Sequence, residues 1–106
     1  MREMRVTELK ALLDGDGPKP LMLDVREPWE YRLCRIEGTR LVPMREVPDA
    51  ARELDPEQEI LVVCHHGIRS AWVCRYLEGQ GFSQVINLEG GMAAWARDVD
   101  PATATY

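Results

Sequence analysis

The sequence ILVVCHHGIRS, residues 60–70, is the stretch that predicts the fold. Its four apolar residues are typical of a strand buried on both faces of a parallel sheet. The pattern from Ser70 to Gly79 predicts a helix after it. Cys64 therefore lies in a short loop between a strand and a helix N-terminus. The free backbone N–H groups of such a terminus and a nearby arginine favour the reactive thiolate form of a cysteine.

Outside this stretch, apolar segments and helical patterns alternate along the chain. Further strands are predicted at residues 3–6, 21–25, 41–42 and 84–88, and further helices at residues 8–13, 29–33, 48–54 and 92–96. This alternation predicts an α/β fold with a central parallel β-sheet of about five strands and helices on both faces. Ligands of such sheets bind at the carboxyl ends of the strands. Asp24 and Arg26, which end one strand, should therefore lie along the same edge as Cys64.

Length and charge restrict the possible classes of protein. A chain of 106 residues predicts one domain, residues 1–106, with residues 98–106 as an extended tail. The net charge of −5 argues against nucleic acid as a partner, because such binding needs clustered cations. No apolar run approaches the roughly 20 residues that span a bilayer, and the N-terminal residues do not resemble a secretory signal. We therefore expect a cytoplasmic protein that is not bound to a membrane.

The three cysteines form no C-x-x-C pair, so a disulfide framework, a zinc site and a redox motif are all disfavoured. Cys74 lies on the apolar side of its helix and is predicted to pack in the core. Cys34 is either a packing residue, which we favour, or a second thiol near the loop. Adjacent residues such as His65 and His66 rarely bind the same ion. We expect neither a metal ion nor a cofactor.

Three motifs in order resemble those of one family. Cys64-x-x-Gly67-x-Arg69-Ser70 resembles the active-site loop of rhodanese-domain sulfurtransferases. Residues 23–31, LDVREPWEY, resemble the upstream D-V-R-E-x-x-E-Y motif of that family, and residues 87–95, NLEGGMAAW, resemble its N-L-x-G-G-x-x-x-W signature. The resemblance extends over nearly the whole chain, and it implies the rhodanese-like fold.

This resemblance implies a ping-pong sulfur transfer. Cys64 would be the catalytic nucleophile that takes the outer sulfur of a donor as a persulfide. The loop residues that follow it would bind the substrate through their amides and the charge of arginine: His65, His66, Gly67, Ile68, Arg69 and Ser70. The expected partners are a small anionic donor such as thiosulfate and a thiol or cyanide acceptor, and a sulfur-carrier protein is a further candidate.

Other functions use related loops. A sulfur-relay module of thiocofactor or tRNA thiolation pathways would use Cys64 in the same way but would depend on protein partners. Cdc25-like phosphatases and arsenate reductases close a larger cradle, Cys-x5-Arg, whereas the arginine of this chain, Arg69, gives Cys-x4-Arg. The smaller loop favours sulfur over a tetrahedral oxyanion. A regulatory domain without chemistry is disfavoured because Cys64 and Arg69 are both present.

The chain departs from the family at two places, and the second bears on its substrate. Arg35 stands where many members have histidine, in a stretch that is usually structural. Members specialised for thiosulfate often have arginine or lysine directly after the cysteine, whereas this chain has His65 and His66. Histidines are mostly neutral near pH 7. A persulfide, a polysulfide or a protein donor therefore becomes more plausible than the thiosulfate dianion.

Asp24 and Arg26 are predicted to support the loop. An acid in an apolar strand needs a partner. The two residues either form a buried ion pair at the strand end, or Asp24 contacts Arg69 and so holds the loop. The second hypothesis is the one we favour from the sequence.

Overall fold

The structure is a computed structural model that describes all 106 residues, and a sheet of five parallel strands lies at its centre. The strand order is β1-β5-β4-β2-β3, and every neighbouring pair is parallel. The strands are β1 (Arg2–Met4), β2 (Leu21–Asp24), β3 (Arg40–Leu41), β4 (Ile60–Val63) and β5 (Val85–Leu88). The predicted α/β class and the parallel sheet are confirmed.

Each strand is followed by one of five helices: α1 (Val6–Asp14), α2 (Pro28–Leu33), α3 (Val47–Ala51), α4 (Ile68–Gly79) and α5 (Gly91–Asp98). A short 3-10 helix, Met44–Glu46, precedes α3. The strand predicted at residues 3–6 ends at Met4, because the backbone N–H of Arg5 donates to the Glu8 carboxylate at 3.3 Å and so caps the start of α1. Helix α4 begins two residues earlier than predicted, directly after Gly67.

The side chains of β4 alternate between two hydrophobic clusters, one on each face of the sheet. Leu61 and Val63 pack with residues of α1 and α5. Ile60 and Val62 pack with residues of α3 and α4, and Cys64 belongs to this second cluster. Each large apolar side chain buried in this way stabilises the fold by about 1.5–3 kcal/mol. The helices therefore cover both faces of the sheet, as the sequence predicts.

The carboxyl ends of the two central strands lie side by side. Asp24 is aligned with Val63, and the N–H of Val25 donates to the carbonyl of Val63 at 2.9 Å. The last residues of β2 and the loop after β4 therefore share one edge of the sheet. None of the five helices has the length and apolar character needed to cross a membrane.

Candidate active site

Cys64 follows the last residue of β4 and is almost completely buried, with 1% of its surface exposed. Its sulfur accepts hydrogen bonds from the N–H groups of Gly67 at 3.0 Å and Ser70 at 3.3 Å. These are free amides at the start of α4, where the helix leaves its first N–H groups without partners. The sequence predicts that the amides from His65 to Ser70 surround the sulfur. The structure places two of them within hydrogen-bonding distance.

The hydroxyl group of Ser70 connects the cysteine to β5. Its oxygen lies 3.2 Å from the Cys64 sulfur, and the hydroxyl donates to Oδ1 of Asn87. Because that proton is used by Asn87, a protonated Cys64 donates to Ser70. The side-chain amide of Asn87 donates to the carbonyl of Gly67 at 3.2 Å and so fixes the loop. In the sequence, the signal for a role of Asn87 is a polar residue inside an apolar strand. In the structure Asn87 is only 3% exposed, so its amide needs the hydrogen-bond partners that the loop supplies.

Gly67 turns the loop into α4. Its φ of 92° lies in the left-handed region, which residues with a side chain rarely adopt. A Cβ at this position would also lie 3.2 Å from the backbone nitrogen of Gly90. The next residue, Ile68, is 69% exposed and therefore lies at the surface of the site. The predicted need for glycine at this position thus has a conformational reason in the structure.

The N-terminus of α5 holds the outer side of the loop. The amides of Met92 and Ala93 donate to the carbonyls of Cys64 at 2.8 Å and His65 at 3.0 Å. A side chain at Gly91 would collide with both of these carbonyls. The small residue therefore lets α5 approach closely enough to satisfy the loop backbone.

Arg69 forms a two-pronged ion pair with Glu30 of α2. Its two terminal nitrogens lie 2.7 and 2.8 Å from the carboxylate oxygens. The Glu30 side chain is 4% exposed and that of Arg69 is 35% exposed. The hydrogen bonds from Arg69 lower the pKa of Glu30 from 4.5 to about 2, and the carboxylate raises the pKa of Arg69. Arg69 is thus a permanently charged group at the loop, but its charge is balanced by an acid.

The hypothesis that Asp24 contacts Arg69 is wrong. Asp24 pairs with Arg26 instead, with Arg26 nitrogens at 2.7, 2.8 and 3.1 Å from its carboxylate oxygens. Both side chains are completely buried. Arg26 lies at a bend two residues after Asp24, and its backbone N–H also donates to the Asp24 carboxylate at 3.1 Å, which favours this pair over a contact with Arg69.

Arg26 links this pair to the chain that follows α2. Its guanidinium donates to the carbonyls of Cys34 at 2.6 Å and Glu30 at 3.3 Å. Burial disfavours the charged form, but hydrogen bonds with Asp24 and Tyr106 outweigh it and raise the pKa of Arg26. The other hypothesis for Asp24 and Arg26, a buried ion pair at the end of the strand, therefore agrees with the structure.

His65 and His66 stack on each other, with ring centroids 4.0 Å apart. Burial, and then the neighbouring His66, lowers the pKa of His65. This residue is therefore neutral at pH 7 and supplies no charge for an anion. No group of three or more histidine, cysteine or acidic side chains is arranged to hold a metal ion.

The tail contributes a residue that the sequence does not point to. Residues 99–106 are largely exposed, but they turn back to the loop, where the ring of Tyr106 stacks on His65 with centroids 4.0 Å apart. Its hydroxyl donates to Glu30 at 2.6 Å and accepts from Arg26 at 3.0 Å. Burial, and then the bond to Glu30, raises the pKa of Tyr106 to about 12.

The other two cysteines lie in different surroundings. Cys74 is completely buried in the core cluster of α4, and burial raises the pKa of its thiol to about 12. This agrees with the predicted packing role. Cys34 is partly buried, and its sulfur lies 3.7 Å from a terminal nitrogen of Arg26. Neither sulfur has the paired amide donors that Cys64 has.

The rhodanese-like domain family matches residues 5–98. The chain belongs to this family. Its rhodanese-like domain covers nearly the whole sequence, and a rhodanese-like domain protein of Staphylococcus aureus has the same fold. The two structures superpose with a TM-score of 0.83 at 35% identity, covering 90% of this chain and 91% of that one.

Rhodanese relatives include a thiosulfate sulfurtransferase, GlpE of Pseudomonas fluorescens, which is 34% identical over 84 residues. The match covers 79% of this chain and 77% of GlpE. YrkF of Bacillus subtilis, named as a candidate sulfur carrier protein, is 39% identical over 93 residues, 88% of this chain and 50% of that protein. The chain spans 38% and 50% of two longer curated relatives. The chain is thus similar to most of GlpE and to about half of the longer protein YrkF.

Proposed function

We propose that this protein is a sulfurtransferase that carries a sulfane sulfur on Cys64 as a persulfide. The observation that supports this most strongly is the Cys64 sulfur held between two amides, of Gly67 and Ser70. A negatively charged sulfur is stabilised by such donors without a counter-ion. The loop closes after four intervening residues at Arg69, which suits one sulfur atom better than a phosphate or arsenate.

The proposed reaction has two steps. With thiosulfate, the Cys64 thiolate attacks the outer sulfur, the S–S bond of the donor breaks, and sulfite leaves with the bonding electron pair. Cys64 then bears a persulfide anion. Cyanide attacks the terminal sulfur of that persulfide, thiocyanate leaves, and the Cys64 thiolate is restored. Charge and sulfur balance in each step, and no cofactor is required.

The site favours a donor with little charge. The charge of Arg69 is balanced by Glu30, and His65 is neutral at pH 7. The thiosulfate dianion therefore meets no unbalanced cation among these residues, and the chain as a whole carries −5. We propose that a small persulfide, which delivers its terminal sulfur and leaves as a thiolate, is a better donor than thiosulfate.

Steady-state transfer to cyanide tests this function. Purified protein is supplied with thiosulfate or cysteine persulfide, and thiocyanate is measured. We expect turnover with both donors, a higher kcat/KM for cysteine persulfide, and no turnover by Cys64→Ser. Hydrolysis of an aryl phosphate without any thiocyanate would contradict sulfur transfer and support the phosphatase alternative.

The second candidate is a sulfur-relay module that receives its sulfur from a protein. The balanced charge of Arg69 favours it, because the loop offers little attraction to a free anion. Its distinguishing result is single loading of Cys64 by small donors without multiple turnovers. Rapid release to cyanide or to a small thiol would exclude the need for a protein acceptor.

A further inference from the structure

The ring of Tyr106 lies across the candidate active-site loop. It stacks on His65, the residue directly after the cysteine, with an interplanar angle of 22°. Its hydroxyl reaches Glu30, the carboxylate that holds Arg69 at the other end of the loop. One aromatic side chain therefore contacts His65 at one end of the loop and Glu30, the partner of Arg69, at the other end.

Two further contacts hold the ring in this position. The edge of Trp29 meets it at a centroid distance of 5.3 Å and an angle of 70°, which is a favourable aromatic geometry. The guanidinium of the completely buried Arg26 donates to its hydroxyl at 3.0 Å. Because Arg26 is itself fixed by Asp24, the tail is attached to a rigid part of the fold.

The tail also lines a partly open cavity beside the two histidines of the loop. Its volume is about 130 Å³, and it is lined by both histidines, Met92, Ala93 and the last three residues of the tail. Cys64 is not among the lining residues and is only 1% exposed. A donor must still bring its sulfur into bonding distance of the Cys64 sulfur, and the ring of Tyr106 covers His65, the residue next to Cys64 on this side.

We propose that the ring of Tyr106 determines which sulfur donors reach Cys64, admitting small persulfides and excluding bulky ones. This inference rests on the proposed function and adds a size limit to it. Glutathione persulfide and cysteine persulfide share the same reacting group and leave as thiolates, but glutathione persulfide is bulkier and carries one more negative charge. The ring of Tyr106 is uncharged, so its removal changes the space for the donor and not the charge of the site.

Three variants separate the ring from its hydroxyl group and from a general surface effect. Tyr106→Ala removes both the ring and the hydroxyl, and Tyr106→Phe keeps the ring. Tyr76→Ala is the matched control. Tyr76 is 38% exposed, compared with 39% for Tyr106, and it lies on α4 and not in the tail. Thermal unfolding of each variant verifies that the fold is intact.

The first measurement is kcat/KM for the two donors. In Tyr106→Ala we expect the value for glutathione persulfide to rise at least about tenfold and that for cysteine persulfide less than about threefold. Tyr106→Phe and Tyr76→Ala should keep the wild-type ratio. An unchanged ratio in Tyr106→Ala, or the same change in Tyr106→Phe, would overturn the role of the ring.

A second measurement does not depend on sulfur transfer. N-methylmaleimide and fluorescein maleimide have the same reactive group, and peptide mass spectrometry reports their reaction at Cys64 alone. We expect Tyr106→Ala to speed labelling by the bulky reagent at least about tenfold, with little change for the small one. Equal acceleration of both reagents would overturn the size limit. If wild-type protein gains no sulfur from any donor, the proposed function fails, whereas the labelling result still decides whether Tyr106 controls access.

Discussion

Two arginine–carboxylate pairs lie at the same edge of the sheet, and they differ in what surrounds them. Arg26 and Asp24 are both completely buried and are two residues apart in sequence. Arg69 and Glu30 join the loop after β4 to α2, and a third of the arginine side chain is exposed. The first pair has no access to a substrate, whereas the second lies beside the Cys64 loop. The same chemical pairing therefore supports the fold in one place and the candidate site in the other.

The largest expected effect is on stability at the buried pair. Arg26→Met leaves the Asp24 carboxylate buried without its cation, and we expect the free energy of unfolding to fall by about 3–5 kcal/mol. Urea denaturation measures this loss. Arg26→Lys, which keeps the charge but not the planar fork, should lose less.

An exposed pair provides the control for this prediction. Arg45 and Glu27 lie 2.8 Å apart with 61% and 42% of their side chains exposed. We expect Arg45→Ala to cost at most about 1 kcal/mol. If Arg26→Met lowered the free energy of unfolding no more than Arg45→Ala, the buried pair would contribute no more to stability than the exposed pair, which would contradict this prediction.

The next effect concerns the pH dependence of stability at the second pair. The pKa of Glu30 is lowered from 4.5 to about 2, so its contribution is complete above pH 4.5 and is lost as the pH falls towards 2. We expect this contribution to be on the order of 2 kcal/mol, after allowance for the partial exposure of Arg69.

Glu30→Gln removes this contribution while it keeps the shape of the side chain. The variant should be less stable than the wild type at pH 7, and the two stabilities should converge as the pH approaches the pKa of about 2. Denaturant titrations at a series of pH values measure the difference. A difference that stayed constant from pH 7 to pH 3 would contradict the assigned titration.

The last expected effect is kinetic and concerns Arg69. Arg69→Ala leaves the nearly buried Glu30 carboxylate with Tyr106 as its remaining side-chain partner, so the loss of stability should be about as large as in Glu30→Gln, on the order of 2 kcal/mol. The rate of sulfur loading should fall at least about tenfold, because the ion pair that holds the Cys64 loop against α2 is lost. His65→Ala should lower that rate less, because His65 forms no ion pair with another element. Stopped-flow loading with cysteine persulfide compares the two variants, and equal losses would show that Arg69 has no special role.

The sequence predicts the fold well because the signals are local. Strands β2, β4 and β5 are each four residues long, with three or four apolar residues in each. At β1 the predicted strand is too long, because the apolar Val6 suggests a strand. The capping bond between Arg5 and Glu8 places Val6 in helix α1 instead. Competition between neighbouring elements, which depends on side-chain hydrogen bonds, decides such boundaries.

The candidate site is predicted only as far as its contacts are local. Gly67 and Ser70 bond the sulfur of a residue three and six positions earlier, so the loop is visible in the sequence. Glu30 is 39 positions from Arg69, and Tyr106 is 76 positions from Glu30. Several acids could reach Arg69 from an extended chain, and only the folded arrangement selects Glu30.

The most direct test of the account locates the transferred sulfur. Protein treated with cysteine persulfide is examined by intact-mass and peptide mass spectrometry, in wild type and in Cys64→Ser, Cys34→Ser and Cys74→Ser. We expect one added sulfur atom on Cys64, its complete removal by cyanide, and its absence only in Cys64→Ser. A Cys64→Ser protein that still gained a sulfur which cyanide removes would contradict the central claim.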